Sequence, residues 1–130
     1  MTKPIILFLL FMLSMSAYSQ RLMDGTRRTV GYIENDRVMN GARSTIGYID
    51  NNGIMDGSRK TIGFMEVRRV MDASRKTIGF IEDGRILDGT RKTIGYVEDG
   101  RVINGSRKTI GHFESLKISE VALFFFFFFL

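Results

Sequence analysis

The chain has 130 residues, 44 % hydrophobic and 25 % charged, with a formal net charge of +5 and no cysteine. The missing cysteines exclude disulfides, thiolate metal sites and lipid attachment through a processed cysteine, so packing and backbone pairing must hold the fold. The basic and acidic residues are interspersed at regular intervals, which describes a self-compensating solvated surface and not a nucleic-acid footprint.

The first nineteen residues, "MTKPIILFLLFMLSMSAYS", begin with a basic Lys3, continue as an apolar run from Ile5 to Leu13 and end on the small residues Ala17 and Ser19. That is the layout of a secretory signal peptide, with cleavage expected before Gln20. The apolar run is too short for a spanning helix, which needs about 20 such residues. Residues 1–19 are therefore expected to be removed, leaving 18 basic and 14 acidic residues, a net +4.

From Arg21 the chain falls into six rows of sixteen: "RLMDGTRRTVGYIEND", "RVMNGARSTIGYIDNN", "GIMDGSRKTIGFMEVR", "RVMDASRKTIGFIEDG", "RILDGTRKTIGYVEDG" and "RVINGSRKTIGHFESL". A partial seventh row, "KISE", follows without a break in register. Self-similarity at a fixed period marks a repeat architecture. Arg recurs at 27, 43, 59, 75, 91 and 107, and Gly at 31, 47, 63, 79, 95 and 111.

Each row holds two short runs rich in Val, Ile, Tyr, Phe and Thr, separated by turn residues, which predicts β-structure throughout 20–120. Asp83-Gly84 and Asp99-Gly100 stand where a two-residue hairpin turn needs positive φ at both positions. Asn35-Asp36 and Asn51-Asn52 tolerate the same region, whereas Val67-Arg68 and Ser115-Leu116 fit it poorly. Such turns fix the register. Glu34 then faces Arg37, Glu66 Arg69, Glu82 Arg85, Glu98 Arg101 and Glu114 Lys117, while Asp50 faces Gly53. The next pairs run from Ile33 with Val38 to Phe113 with Ile118, and then from Tyr32 with Met39 to His112 with Ser119. Alternation puts the aliphatic pairs on one face and the aromatic–Met pairs on the other. A hairpin apolar on both faces must be covered on both, which predicts a closed or nearly closed all-β rosette of antiparallel hairpins packed like petals. The alternative is a β-solenoid with one row per coil, in which identical charges stack about 4.8 Å apart and repel.

The unit "DGSRKTIGYIEDGR" resembles the repeat of the bacterial secreted β-flower proteins, known in four-fold and five-fold forms. The resemblance spans Arg21 to Glu120 and implies a hairpin rosette without an established activity. A signal ending before Gln also resembles those of Bacteroidota, which implies the periplasm, outer envelope or an extracellular location.

Candidate sites are few. The six recurring arginines, Arg27, Arg43, Arg59, Arg75, Arg91 and Arg107, could form an anion-binding ring, because guanidinium forks match phosphate, sulfate or uronate groups. The competing reading pairs each with a nearby acid such as Asp24, Asp56, Asp72 or Asp88. His112, the only histidine, lacks the second ligand or nucleophile that a metal or catalytic role requires, and its replacement of an aromatic points to a boundary at the last repeat. No catalytic, metal or cofactor site is expected.

The chain closes on Val121 to Leu130, which includes Phe124, Phe125, Phe126, Phe127, Phe128 and Phe129. Extended, those ten residues reach about 33 Å. They are expected either to plug the ring or to anchor the protein in a membrane, since an exposed patch of that size drives aggregation. The sequence thus reads as an exported, non-enzymatic envelope protein with a structural or binding role and either an anionic glycan or the outer membrane as partner. The alternative function is a carbohydrate-active or other hydrolytic protein using the ring carboxylates.

Overall fold

The computed structural model describes residues 20–130, and the expected signal segment lies outside them. Twelve strands alternate in length between four and six residues: β1 (Arg21–Asp24), β2 (Thr29–Glu34), β3 (Arg37–Asn40), β4 (Thr45–Asp50), β5 (Gly53–Asp56), β6 (Thr61–Glu66), β7 (Arg69–Asp72), β8 (Thr77–Glu82), β9 (Arg85–Asp88), β10 (Thr93–Glu98), β11 (Arg101–Asn104) and β12 (Thr109–Glu114). Each pairs with both sequence neighbours, and β1 pairs with β12, so the sheet closes into an antiparallel barrel. The fold is the all-β rosette expected, with six petals and no solenoid coil.

Two kinds of connection alternate. Across the two-residue turns the register is the one the turns dictate, with Glu34 opposite Arg37, Ile33 opposite Val38 and Tyr32 opposite Met39. Asn35 and Asp36 have φ of 52° and 68°, and Asp83 and Gly84 have 50° and 88°. The links between petals are hairpins too. Asp24 N donates to Arg28 O at 2.8 Å and Arg27 N to Asp24 O at 3.0 Å, with Arg27 at φ 70°. This is a three-residue loop whose last residue is left-handed and forms a bulge. Petals therefore meet edge to edge through backbone hydrogen bonds, not face to face as packed leaves. Edge pairing satisfies the strand N–H and C=O groups that face packing would leave open.

A second bulge marks the start of each longer strand. Leu22 pairs with Gly31 and Met23 with Thr29, leaving Val30 as the extra residue. Its counterparts at Ile46, Ile62, Ile78, Ile94 and Ile110 are likewise half-buried against the core. The bulges increase local twist and bend the strand, which helps so short a sheet close.

The sixth petal departs from the expected pairing. Glu114, Phe113 and His112 face Arg21, Leu22 and Met23, not Lys117, Ile118 and Ser119. The "KISE" segment is no strand: Lys117 N donates to Glu120 Oε1 at 3.1 Å, opening helix α1 (Ile118–Ala122). A seventh half-petal would leave a free edge, whereas the N-terminal strand pairs both edges and closes the ring. His112 consequently sits at no boundary; it is 8 % exposed, with Met23 and Arg101 as its cross-strand partners.

The tail also departs from an extended path. After α1 the chain forms one π-helical stretch, Leu123–Phe128. An extended segment in an apolar lumen would strand its backbone polar groups, while a helix satisfies them internally. A barrel of about eight strands is already filled by its own side chains; twelve leave room for this element. Leu123, Phe124 and the interior aliphatic residues, among them Leu22, Ile33, Val38 and Ile54, form one core.

Candidate functional site

The six phenylalanines and the six repeated glycines meet one to one. A Cβ placed on Gly31 would lie 2.8 Å from Phe124 Cζ and 2.8 Å from Met39 O, and one on Gly111 would lie 2.7 Å from Phe125 Cζ. Gly95 faces Phe126, Gly79 faces Phe127, Gly63 faces Phe128 and Gly47 faces Phe129. These glycines do not occupy the left-handed region. Glycine is required there because a ring edge and a neighbouring strand's carbonyl leave no space for a Cβ. The tail is thus what demands close backbone approach at these positions.

Successive Phe residues serve successive petals, running backwards along the sequence from the sixth petal to the second. Phe124 then meets the first, and its ring lies 6.2 Å from that of Phe129. Phe124 and Phe125 meet edge to face at 5.4 Å, a favoured aromatic geometry. The rings radiate from a π-helix, whose i→i+5 bonding distinguishes it from the usual helix. An element apolar on every side suits a lumen apolar on every side.

The six arginines occupy the outer wall, one per petal, and do not converge. Each takes the left-handed position of its loop, with φ between 66° and 70°. In five petals the guanidinium lies over an aromatic ring: Arg43 over Tyr32 at 3.9 Å, Arg59 over Tyr48 at 4.1 Å, Arg75 over Phe64 at 4.1 Å, Arg91 over Phe80 at 4.0 Å and Arg107 over Tyr96 at 4.6 Å. On the sixth, His112 fills the aromatic slot nearest Arg27's loop. Stacking at such exposed sites is worth about 0.5–1 kcal/mol each, which offsets part of the cost of about 1–2 kcal/mol for a left-handed non-glycine residue. This shelf was missed in reading the sequence, although a signal was present: the aromatic precedes its Arg by eleven residues in five rows.

The acids partner differently from expectation. Arg43 meets Glu34 at 3.7 Å, Arg75 meets Glu66 at 4.0 Å and Arg91 meets Glu82 at 3.3 Å. Asp24, Asp56, Asp72 and Asp88 instead hold their own loops. Asp56 Oδ1 accepts from Ser58 N at 2.9 Å, Ser58 Oγ at 2.8 Å and Lys60 N at 3.0 Å. Asn40 and Asn104 accept the same backbone bonds in their rows. Asp24, Asp56 and Asp88 have pKa values below the ordinary 3.8 chiefly because of the Thr or Ser hydroxyl, and Asp72 chiefly because of the Lys76 backbone N–H. Among the described residues no group of His, Asp or Glu is arranged to hold a metal ion.

With strands of four to six residues against the roughly 9–11 needed for a β-span, and a wall carrying Arg and Glu, the barrel is too short to cross a bilayer. No described helix is long and apolar enough to cross one either.

The chain matches the family model described as 5-fold beta-flower protein over residues 19–129. No curated protein and no solved structure matches it. The family's description is five-fold, whereas this chain closes with six petals.

Proposed function

The chain belongs to the 5-fold β-flower family, and from that premise we propose that it is an exported, non-enzymatic module of the cell envelope that acts through its outer surface. The observation that carries this reading is the use of the repeated acids. Four Asp residues brace loops, and Glu34, Glu66, Glu82 and Glu114 each meet an Arg. A hydrolytic site needs a carboxylate set apart from its copies, and these eight are committed to two structural tasks, bracing a loop or pairing with an Arg. The lumen, where a small ligand would otherwise sit, is taken up by the tail. Export is supported by the three-part layout of residues 1–19.

The test is expression of the full chain in a diderm bacterium, followed by fractionation and intact-mass measurement. A product beginning at Gln20 outside the cytoplasm is the expected outcome. Full-length protein retained in the cytoplasm with Met1 or Thr2 as its first residue would overturn the reading.

A further inference from the structure

The two ends of the barrel differ in charge. The three-residue loops and adjoining strand ends carry eleven Lys and Arg against four Asp, a net +7, whereas the two-residue turns and the tail helix carry seven against ten, a net −3. Three of those arginines, Arg43, Arg75 and Arg91, direct their heads to Glu34, Glu66 and Glu82. Cancelling these pairs still leaves +4 at the loop end and zero at the turn end. Around the loop end, Arg28, Lys60, Lys76, Lys92 and Lys108 are exposed, and none of the five forms an ion pair among the described residues.

Inside this basic rim the end of the tail reaches the surface, with Leu130 exposed. The tail enters from the turn end, where Lys117 and Glu120 border clefts with Asn35, Asp36 and Asn51. Its exposure then rises along the chain: Phe124 is 1 % and Phe125 8 % exposed, Phe126 to Phe129 are half-buried, and Leu130 is 75 % exposed. The six bulge residues, Val30 and its five Ile counterparts, lie one position from the loop end of their strands and are half-buried against the same core.

We propose that the loop end is a docking face for an anionic lipid surface, with the apolar mouth meeting the acyl boundary and the five rim cations meeting headgroup charge. Apolar surface framed by basic residues is the composition of interfacial binding. A rim of cations spread over all but the second petal suits an extended charged plane better than a small anion, which would need them to converge. The barrel rests on the bilayer, because its strands cannot span it. This deepens the envelope reading and rests on it only for where the lipid is encountered.

The test is co-sedimentation of the purified full chain with vesicles of phosphatidylcholine alone or mixed with phosphatidylglycerol. Binding is expected to the mixed vesicles and to weaken as salt rises. The double variant Lys76→Glu/Lys92→Glu should lower partition about tenfold or more, and Leu130→Glu several-fold, with thermal melting unchanged. At the turn end, Arg68→Glu should alter partition by less than about twofold. Equal binding to both vesicle types, no binding, or loss of vesicle binding by Arg68→Glu as large as by the loop-end pair would overturn the proposal. So would a soluble polyanion that binds the protein and displaces it from vesicles while Leu130→Glu changes nothing, because the face would then read charge alone. Since vesicle binding is measured on purified protein, its failure is separable from failure of export.

Discussion

The wall of the barrel and the tail inside it are built by opposite rules. In the wall nearly every contact is local: a turn fixes the cross-strand pairs beside it, an Asp braces the next four residues, and an Arg covers an aromatic eleven positions earlier. In the tail, beyond the Phe–Phe contacts within it, the contacts reach the wall over 14 to 93 positions. Phe124 meets Gly31 across 93 positions, and six identical residues meet six different petals. A repeating wall distributes its stability over many small terms, whereas the plug concentrates it in a few large ones.

The sharpest test of that contrast is Phe124→Ala. The side chain is fully enclosed, and its loss should cost about 3–5 kcal/mol in denaturant unfolding. Removing one wall contact with Arg59→Ala should cost about 0.5–1 kcal/mol. Comparable losses would erase the distinction.

Next comes the fit between the two regions. Gly95→Ala places a methyl 2.5 Å from both Ile103 O and Phe126 Cζ, an overpacking expected to cost about 1–3 kcal/mol. If the tail is part of the obstruction, Phe126→Leu in the same chain should recover part of that loss, read as a double-mutant coupling. Strict additivity would assign the whole conflict to the backbone.

Within the wall, Val67 is the weak turn. It is 90 % exposed with φ 57°, a conformation that β-branched residues adopt at a penalty. Val67→Asn should raise stability by about 1 kcal/mol, measured as an increase in denaturation midpoint. A decrease would mean that the valine makes a contact the fold depends on.

The smallest effect separates identical loops by their acid. Because the pKa of Asp56 is lowered on folding, its contribution is present above the ordinary value of 3.8 and is lost as pH falls through the lower folded value. The variant Asp56→Asn, which copies Asn40 and Asn104, should flatten the stability profile below about pH 4 and lower stability slightly at neutral pH, where the charged acceptor contributes. An acid limb as steep as that of the parent would place the pH dependence on other carboxylates.

Much of the wall was legible because its determinants lie within one row. Asn35-Asp36 and Asp83-Gly84 dictated register, and the register placed Ile33 against Val38 without further information. The sixth petal was not legible. "KISE" continues the period, yet Arg21, Leu22 and Met23 take its place, because ring closure compares two segments about 90 residues apart and prefers the one that leaves no edge. The arginine shelf was half legible: recurrence marked the residue, but its left-handed backbone and aromatic support follow from a loop type that composition alone did not reveal.

The sequence by itself determined the strands of the repeats and the pairing across the first five two-residue turns, since hydrogen bonding and side-chain alternation act over a few neighbouring residues. Only the tertiary structure decided the number of petals, the partner of the last strand and the helical path of the phenylalanines. Each of these depends on the shape of a closed interior, which exists only once distant strands have met.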